Sequence, residues 1–242
     1  MTQLLISVKN VEESLIARYA DVDVIDLKNP AAGALGALDT DTVSKIIQEV
    51  KGSALISATV GEGHESVDAL VADIKLYADL GVDVVKMSVS DLFSEENFFT
   101  EMLQLTTQGI KLVAVFFADK TFDSSLIAEL QKSGFYGAML DTQVKQHSLL
   151  EVQSIGALNG FVDLCKKHHL ISGLAGSVNK SHLIALLDLA PTFIGLRGGV
   201  CEKNNRVSAL SSSMVVEVKE LLLNYNSSKG FRVESEVLDL HI

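Results

Sequence analysis

Several familiar markers are scarce in this chain, and each scarcity excludes something. Its 242 residues hold two cysteines and two prolines. Cys165 and Cys201 lie far apart and match no zinc or redox spacing, so no disulfide framework is expected and a reducing cytoplasm is the default location. With only Pro30 and Pro191 and no low-complexity tract, there is no obvious linker, which favours one domain. Basic residues are outnumbered, 20 against 31 acidic, for a net charge of −11. That argues against nucleic acid or an anionic membrane as the main partner, while a local lysine cluster could still meet a small anion. No apolar run approaches the ~18 residues of a membrane span. The segment from Met1 to Asn10 has no basic leader and does not read as a signal peptide. No His, Asp or Glu cluster has metal-ligand spacing, so neither a metal nor another cofactor is expected.

What is present is repetition. Short β-like runs alternate with longer amphipathic segments eight times. The runs are Leu4–Val8, Val22–Lys28, Ala54–Val60, Val82–Val89, Ile110–Ala118, Tyr136–Asp141, Leu170–Leu174 and Thr192–Arg197. The first helix starts near Asn10, a plausible N-cap. Further helices are expected over Asp39–Val50, His64–Leu80, Ser94–Thr107, Thr121–Lys132, Gly156–His168, Asn179–Leu189 and Arg206–Asn224. Eight consecutive βα units in a chain of this length predict a (β/α)8 TIM barrel over 1–224, followed by a C-terminal extension over 225–242. A doubly wound open sheet fits less well, since no dinucleotide fingerprint follows the first strand. The extension is expected to pack on the barrel exterior or on a partner subunit.

In this fold, reacting groups sit at the C-terminal ends of the strands. The second run ends on Asp26 and Lys28, which share a face in a period-two strand. The fourth carries Lys86, the sixth ends on Asp141 and the eighth on Arg197. All four strands are even-numbered, and barrel interiors are filled by layers from alternate strands, so these groups can converge. Ser57 and Thr59 on the third strand and Asp119-Lys120 after the fifth add polar neighbours. Two lysines in a low-dielectric mouth disfavour each other's charge, and burial disfavours both. Such surroundings turn a lysine that titrates at ~10.4 into a Schiff-base nucleophile. Asp26, Asp141 and the second lysine could then shuttle protons. The plainer alternative is a pair of structural ion pairs, Asp26–Lys28 and Asp141–Lys86.

Two glycine-rich turns follow the last two strands: Ser172-Gly173-Leu174-Ala175-Gly176-Ser177 and Gly195-Leu196-Arg197-Gly198-Gly199. Loops in these positions commonly bind phosphate through backbone N–H groups. Gly173, Gly176, Ser177, Arg197, Gly198 and Gly199 are therefore the candidate phosphate ligands. His64 could be a ligand contact or a solvated helix start. His168 and His169 suit a helix C-terminus, and Phe98-Phe99 and Phe116-Phe117 suit a core or an interface. Residues alone leave three functions open: a Schiff-base enzyme of undefined product, a class I aldolase on a small sugar phosphate, or a phosphometabolite-binding regulator.

The runs Leu4-Leu5-Ile6-Ser7-Val8-Lys9-Asn10, Asp26-Leu27-Lys28-Asn29-Pro30 with Gly33 and Leu35-Gly36-Ala37, Val85-Lys86, and Leu140-Asp141-Thr142 with Lys145 resemble the (5-formylfuran-3-yl)methyl phosphate synthases of methanofuran and methylofuran biosynthesis. The resemblance extends to about Arg206. It implies a (β/α)8 lyase that condenses two glyceraldehyde 3-phosphate molecules with loss of phosphate and water. It also implies a Schiff-base role for Lys28, a proton-acceptor role for Lys86, a supporting Asp26 and an Asp141–Lys145 pair. A homo-oligomer is part of the same expectation.

Overall fold

Eight parallel strands close on themselves in sequence order: β1 (Gln3–Val8), β2 (Val24–Leu27), β3 (Leu55–Thr59), β4 (Val84–Ser88), β5 (Lys111–Phe117), β6 (Gly137–Asp141), β7 (Ile171–Leu174) and β8 (Phe193–Leu196). The structure is a computed structural model that describes residues 1–238, with side chains as far as Lys229. Closure comes from β1 pairing with β8, where Leu4 stands beside Ile194 and Ile6 beside Leu196. The predicted barrel is therefore the fold.

Alternation along each strand builds two apolar regions. Leu4, Ile6, Ile25, Leu27, Ile56, Val85, Leu112, Phe116 and Leu140 face outward and are buried beneath the helices. Leu5, Val24, Val84, Val113, Met139 and Phe193 fill the barrel interior. Leu35, carried inward by the loop after β2, joins that interior set. The period of two thus separates the helix-facing layer from the lumen.

The helices are α1 (Val11–Tyr19), α2 (Thr40–Val50), α3 (Val67–Asp79), α4 (Phe98–Thr107), α5 (Leu126–Lys132), α6 (Leu149–Val152), α7 (Ile155–Lys167), α8 (Leu183–Leu187) and α9 (Ser212–Leu238). Asn10 caps α1 as expected, its side chain accepting from the Glu13 N–H. Asp39, Ser66 and Ser154 do the same for α2, α3 and α7, each satisfying a donor that the first helical turn leaves free.

The last helix departs most from expectation. Residues 206–211 form a loop, α9 begins at Ser212, and it runs through Asn224 without a break. The expected boundary at 224/225 therefore falls inside one helix. The beginning of the expected extension packs on the barrel: Tyr225 donates to Asp188 at 2.5 Å and Asn226 to the Thr2 carbonyl at 3.2 Å. Side chains of 230–242, and the backbone of 239–242, lie outside the described residues.

Candidate active site

The strand ends bring the predicted lysines and aspartates together at the floor of one cavity of about 750 Å³. Asp26 is 1% exposed and accepts three hydrogen bonds: from Ser7 Oγ at 2.8 Å, Ser57 Oγ at 2.6 Å and Lys86 Nζ at 2.6 Å. Burial alone would push its carboxyl up, but the ammoniums of Lys86 and Lys28 and the donated hydrogen bonds override that and hold it below the usual range. Lys86, 2% exposed, is pushed down by burial and by the charge of Lys28, with Asp26 opposing.

Lys28 lies one residue beyond β2, where its N–H still follows the ladder to the Val8 carbonyl at 3.0 Å. Its side chain therefore keeps the inward direction of Val24 and Asp26. Lys28 Nζ pairs with Asp141 Oδ2 at 3.1 Å, and Lys145 Nζ with Asp141 Oδ1 at 2.5 Å. Desolvation raises the Asp141 carboxyl, yet Lys145 and Lys28 together carry it far below its ordinary value. Lys145 is itself pushed down by burial and by Lys28.

The ion pairs run crosswise to the sequence-based alternative: Lys28 meets Asp141, and Lys86 meets Asp26. Neighbouring inward residues on one strand point the same way but need not touch, whereas barrel closure brings the ends of different strands into contact. Three lysines share two carboxylates here. One positive charge is left uncompensated, which favours either a neutral lysine or a bound anion.

The wall above comes from the loops after β7 and β8. Gly176, Ser177, Gly198 and Gly199 line the cavity. Among the described residues, the backbone N–H groups of these four have no protein acceptor. Two of the glycines are required by close approach. A Cβ on Gly199 would stand 2.3 Å from the Val178 carbonyl oxygen, and one on Gly176, at φ +114°, 2.8 Å from the Thr142 nitrogen. Glycine alone lets these loops abut.

Two expected phosphate ligands have other engagements in the structure. Gly173 does not line the cavity; a Cβ there would meet the Phe193 ring at 2.4 Å, so it is a packing glycine inside the barrel. Arg197 borders the cavity, but all five of its N–H donors are engaged. Nε binds the Arg206 carbonyl at 2.8 Å, Nη1 binds Glu13 and the Ser7 carbonyl, and Nη2 binds Glu13 and the Ser208 carbonyl. A guanidinium has five donors, so none remains for a phosphate. Glu13 lies on α1, and no local motif near Arg197 announces it.

Arg206, not among the expected site residues, also belongs to the cavity. It was expected to start a helix, but it lies on the loop ahead of α9, lines the cavity, and reaches across the mouth to the Gly33 carbonyl at 2.8 Å. A cation shortly after the eighth strand was the available signal. Of the remaining candidates, Thr59 donates to the Gly36 carbonyl at 2.9 Å, and Asp119 accepts from the Gln143 and Val144 N–H groups at 2.8 and 2.7 Å, fixing the loop that carries Lys145. His64 is 3.0 Å from Asp73. Phe98 and Phe99 pack with Phe93, and Phe116 with Phe122 and Phe161, as core clusters. Among the described residues, no group of three or more His, Cys, Asp or Glu side chains could hold a metal.

Comparison with known proteins bears on this geometry. Residues 4–219 match the profile of the 4-HFC-P synthase family. The chain is 35% identical to a Methylorubrum extorquens protein described as a candidate (5-formylfuran-3-yl)methyl phosphate synthase, over 91% of both chains. It is 30% identical to the (5-formylfuran-3-yl)methyl phosphate synthase of Methanocaldococcus jannaschii, over 90% of this chain and 98% of that one. Among solved structures, phosphoribosyl anthranilate isomerase from Thermus thermophilus superposes with a TM-score of 0.66 at 10% identity, covering 93% of this chain and 100% of the other. 3-Hexulose-6-phosphate synthase from Salmonella typhimurium gives 0.65 at 13%, covering 92% and 99%. At such identities the superpositions speak to the fold alone.

Proposed function

The chain belongs to the 4-HFC-P synthase family, and from that premise we propose that its cavity joins two molecules of glyceraldehyde 3-phosphate into (5-formylfuran-3-yl)methyl phosphate, for a methanofuran-type cofactor. Two three-carbon phosphates become one six-carbon phosphate, with release of one phosphate and of water. The observation that carries this reading is the crosswise network, in which three lysines share two buried carboxylates on the floor of a cavity walled by free backbone N–H groups.

Lys28 Nζ attacks the aldehyde carbon of the first triose and water leaves, giving an iminium that draws electrons from the neighbouring carbon. The proton on that carbon passes to Lys86, whose charge burial already disfavours, and an enamine results. The enamine either expels the phosphate or adds to the second aldehyde; both routes use the same two lysines. Asp26, anchored by two serines, stays ionised and holds Lys86 in place. Asp141 likewise stays ionised, orients Lys28 and balances the iminium charge. Lys145, pushed down by burial, is the member of its pair able to carry protons during ring closure and dehydration. Gly176, Ser177, Gly198 and Gly199 hold one phosphate through their N–H groups. Two free, buried cysteines suit a cytoplasmic enzyme, and no described helix is long and apolar enough to cross a membrane.

Incubation with glyceraldehyde 3-phosphate alone should produce a furan-aldehyde chromophore and inorganic phosphate. A class I aldolase would release no phosphate, and a binding protein would make neither. Borohydride added during turnover should leave a reduced triose adduct on Lys28, located by peptide mass spectrometry. A Lys28→Ala variant that kept full activity would overturn the assignment.

A further inference from the structure

We propose that Arg206 holds the phosphate of the second triose phosphate, the one that is not bonded to Lys28. This rests on the reading of the cavity as a two-substrate condensation site.

Five cationic side chains line the cavity: Lys28, Lys86, Lys145, Arg197 and Arg206. The first four each have a carboxylate partner, Asp141, Asp26, Asp141 and Glu13 in turn. Arg206 alone has none within salt-bridge distance among the described residues. Its guanidinium makes one hydrogen bond, from Nη2 to the Gly33 carbonyl, which leaves most of its five donors open. The carboxylates whose charge reaches it from beyond contact are Asp141, which pairs with Lys28 and Lys145, and Glu62, whose Oε1 accepts from the Leu35 N–H at 2.8 Å.

Charge balance calls for such a group. Two phosphate monoesters bring roughly three to four negative charges into the cavity. The lysine–aspartate network offers a single uncompensated positive charge. The N–H groups of the β7 and β8 loops can cradle one phosphate without any cation, but a second phosphate in a partly desolvated cavity needs a counter-charge. Among the described residues that line the cavity, Arg206 is the one cation without a carboxylate partner, and its planar fork suits bidentate phosphate contact.

Position separates the two phosphates. The backbone of Arg206 stands beside Gly198, where an added Cβ would lie 3.6 Å from Arg206 Cβ, while its guanidinium ends over the loop after β2. That loop follows Lys28 and lies three strands around the barrel from the Gly176–Ser177 turn. The placement is built rather than incidental. Arg197 Nε holds the Arg206 carbonyl, Lys9 Nζ donates to the Val207 carbonyl at 2.6 Å, and Glu13 accepts the Leu210 N–H at 3.2 Å. The arginine expected from sequence to bind phosphate thus positions the one that does.

The test uses the full chain with Arg206→Ala and Arg206→Lys, two readouts each. The first is the glyceraldehyde 3-phosphate concentration giving half-maximal borohydride trapping on Lys28, which needs only the first triose. The second is kcat/KM for furan formation. For Arg206→Ala, trapping should be unchanged, which also shows that the variant is folded. Its kcat/KM should fall roughly 10- to 100-fold, the worth of charge-assisted hydrogen bonds. Arg206→Lys, which keeps the charge but loses the fork, should fall between the two. Trapping that weakens in parallel would overturn the proposal by giving Arg206 to the first triose. An unchanged kcat/KM in Arg206→Ala would also overturn it. Wild-type enzyme that forms furan without any adduct on Lys28 would instead sink the Schiff-base reading, a separate failure.

Discussion

Glu13→Gln should be far more damaging than its small change in shape suggests. The Glu13 side chain is 3% exposed and that of its partner Arg197 9%. The carboxylate accepts from the Lys9 N–H at 3.0 Å, the Leu210 N–H at 3.2 Å, and two N–H groups of Arg197. Glutamine offers one oxygen, and its NH2 would face groups that are themselves donors. It also leaves the guanidinium without a counter-charge. Removing one partner of a buried ion pair costs about 3–5 kcal/mol. For a chain of this size each kcal/mol moves Tm by about 2–4 °C, so Tm should drop by roughly 6–20 °C. Urea melts at constant m-value should report the same loss. Arg197→Met should cost a similar amount or more, because it also strands the carbonyls of Ser7, Arg206 and Ser208. The double variant should be less damaged than the sum of the singles by on the order of 1–3 kcal/mol. A Glu13→Gln protein within about 1 kcal/mol of wild type, or strictly additive effects, would refute the claim that this pair is a buried clasp.

Three other outcomes follow from the site. The furan-forming rate should rise with pH from about 6 upward and level off below the ordinary lysine value, because the proposed proton acceptor, Lys86, must be deprotonated to act and burial pushes it down; a pH–rate profile that falls over this range would contradict that role. On the acid side, Asp26 and Asp141 are both held below their ordinary values. Their contribution to stability is thus present above the unfolded value of about 3.9 and is lost as pH falls through it toward the folded values. Acid denaturation followed by circular dichroism should show a shallower slope in Asp141→Asn. Finally, Gly199→Ala drives a Cβ into the backbone at Val178 and Asn179, and overpacking of this kind costs about 1–3 kcal/mol. Tm should fall and KM rise, and a variant with both unchanged would show that the two loops need not abut.

The sequence made some of this legible and hid the rest for physical reasons. Strand periodicity sufficed for the barrel, and it placed Asp26, Lys28, Lys86 and Asp141 at one mouth, because inward direction is a local property of a strand. Which lysine meets which aspartate is set by closure and register, so the pairs Lys28–Asp141 and Lys86–Asp26 were invisible to reasoning along single strands. Arg197 looked like a phosphate ligand because its partner Glu13 comes from α1. Gly173 looked like its neighbours Gly176 and Ser177, yet the Phe193 ring beside it is contributed by the next strand. Arg206 was hidden by an apolar pattern that continued into α9, which obscured the loop ahead of Ser212.

The Glu13–Arg197 clasp also carries a consequence for how the chain acquires its shape. Its two residues are 184 positions apart, and the β1–β8 pairing beside it joins the first strand to the last. Closing so long a loop is entropically later than forming each local βα unit. Before that closure, β1 presents an open edge of unpaired backbone groups, and the loop bearing Arg206 has only its local contacts to Arg197, without those to Lys9 and Glu13. The N–H wall comes from the loops of two consecutive strands, β7 and β8, whereas the contacts from Lys9 and Glu13 to the Arg206 loop wait for the two ends of the barrel to meet. The seating of Arg206 is therefore a late property of the folding chain, and an early one to go when the β1–β8 seam loosens.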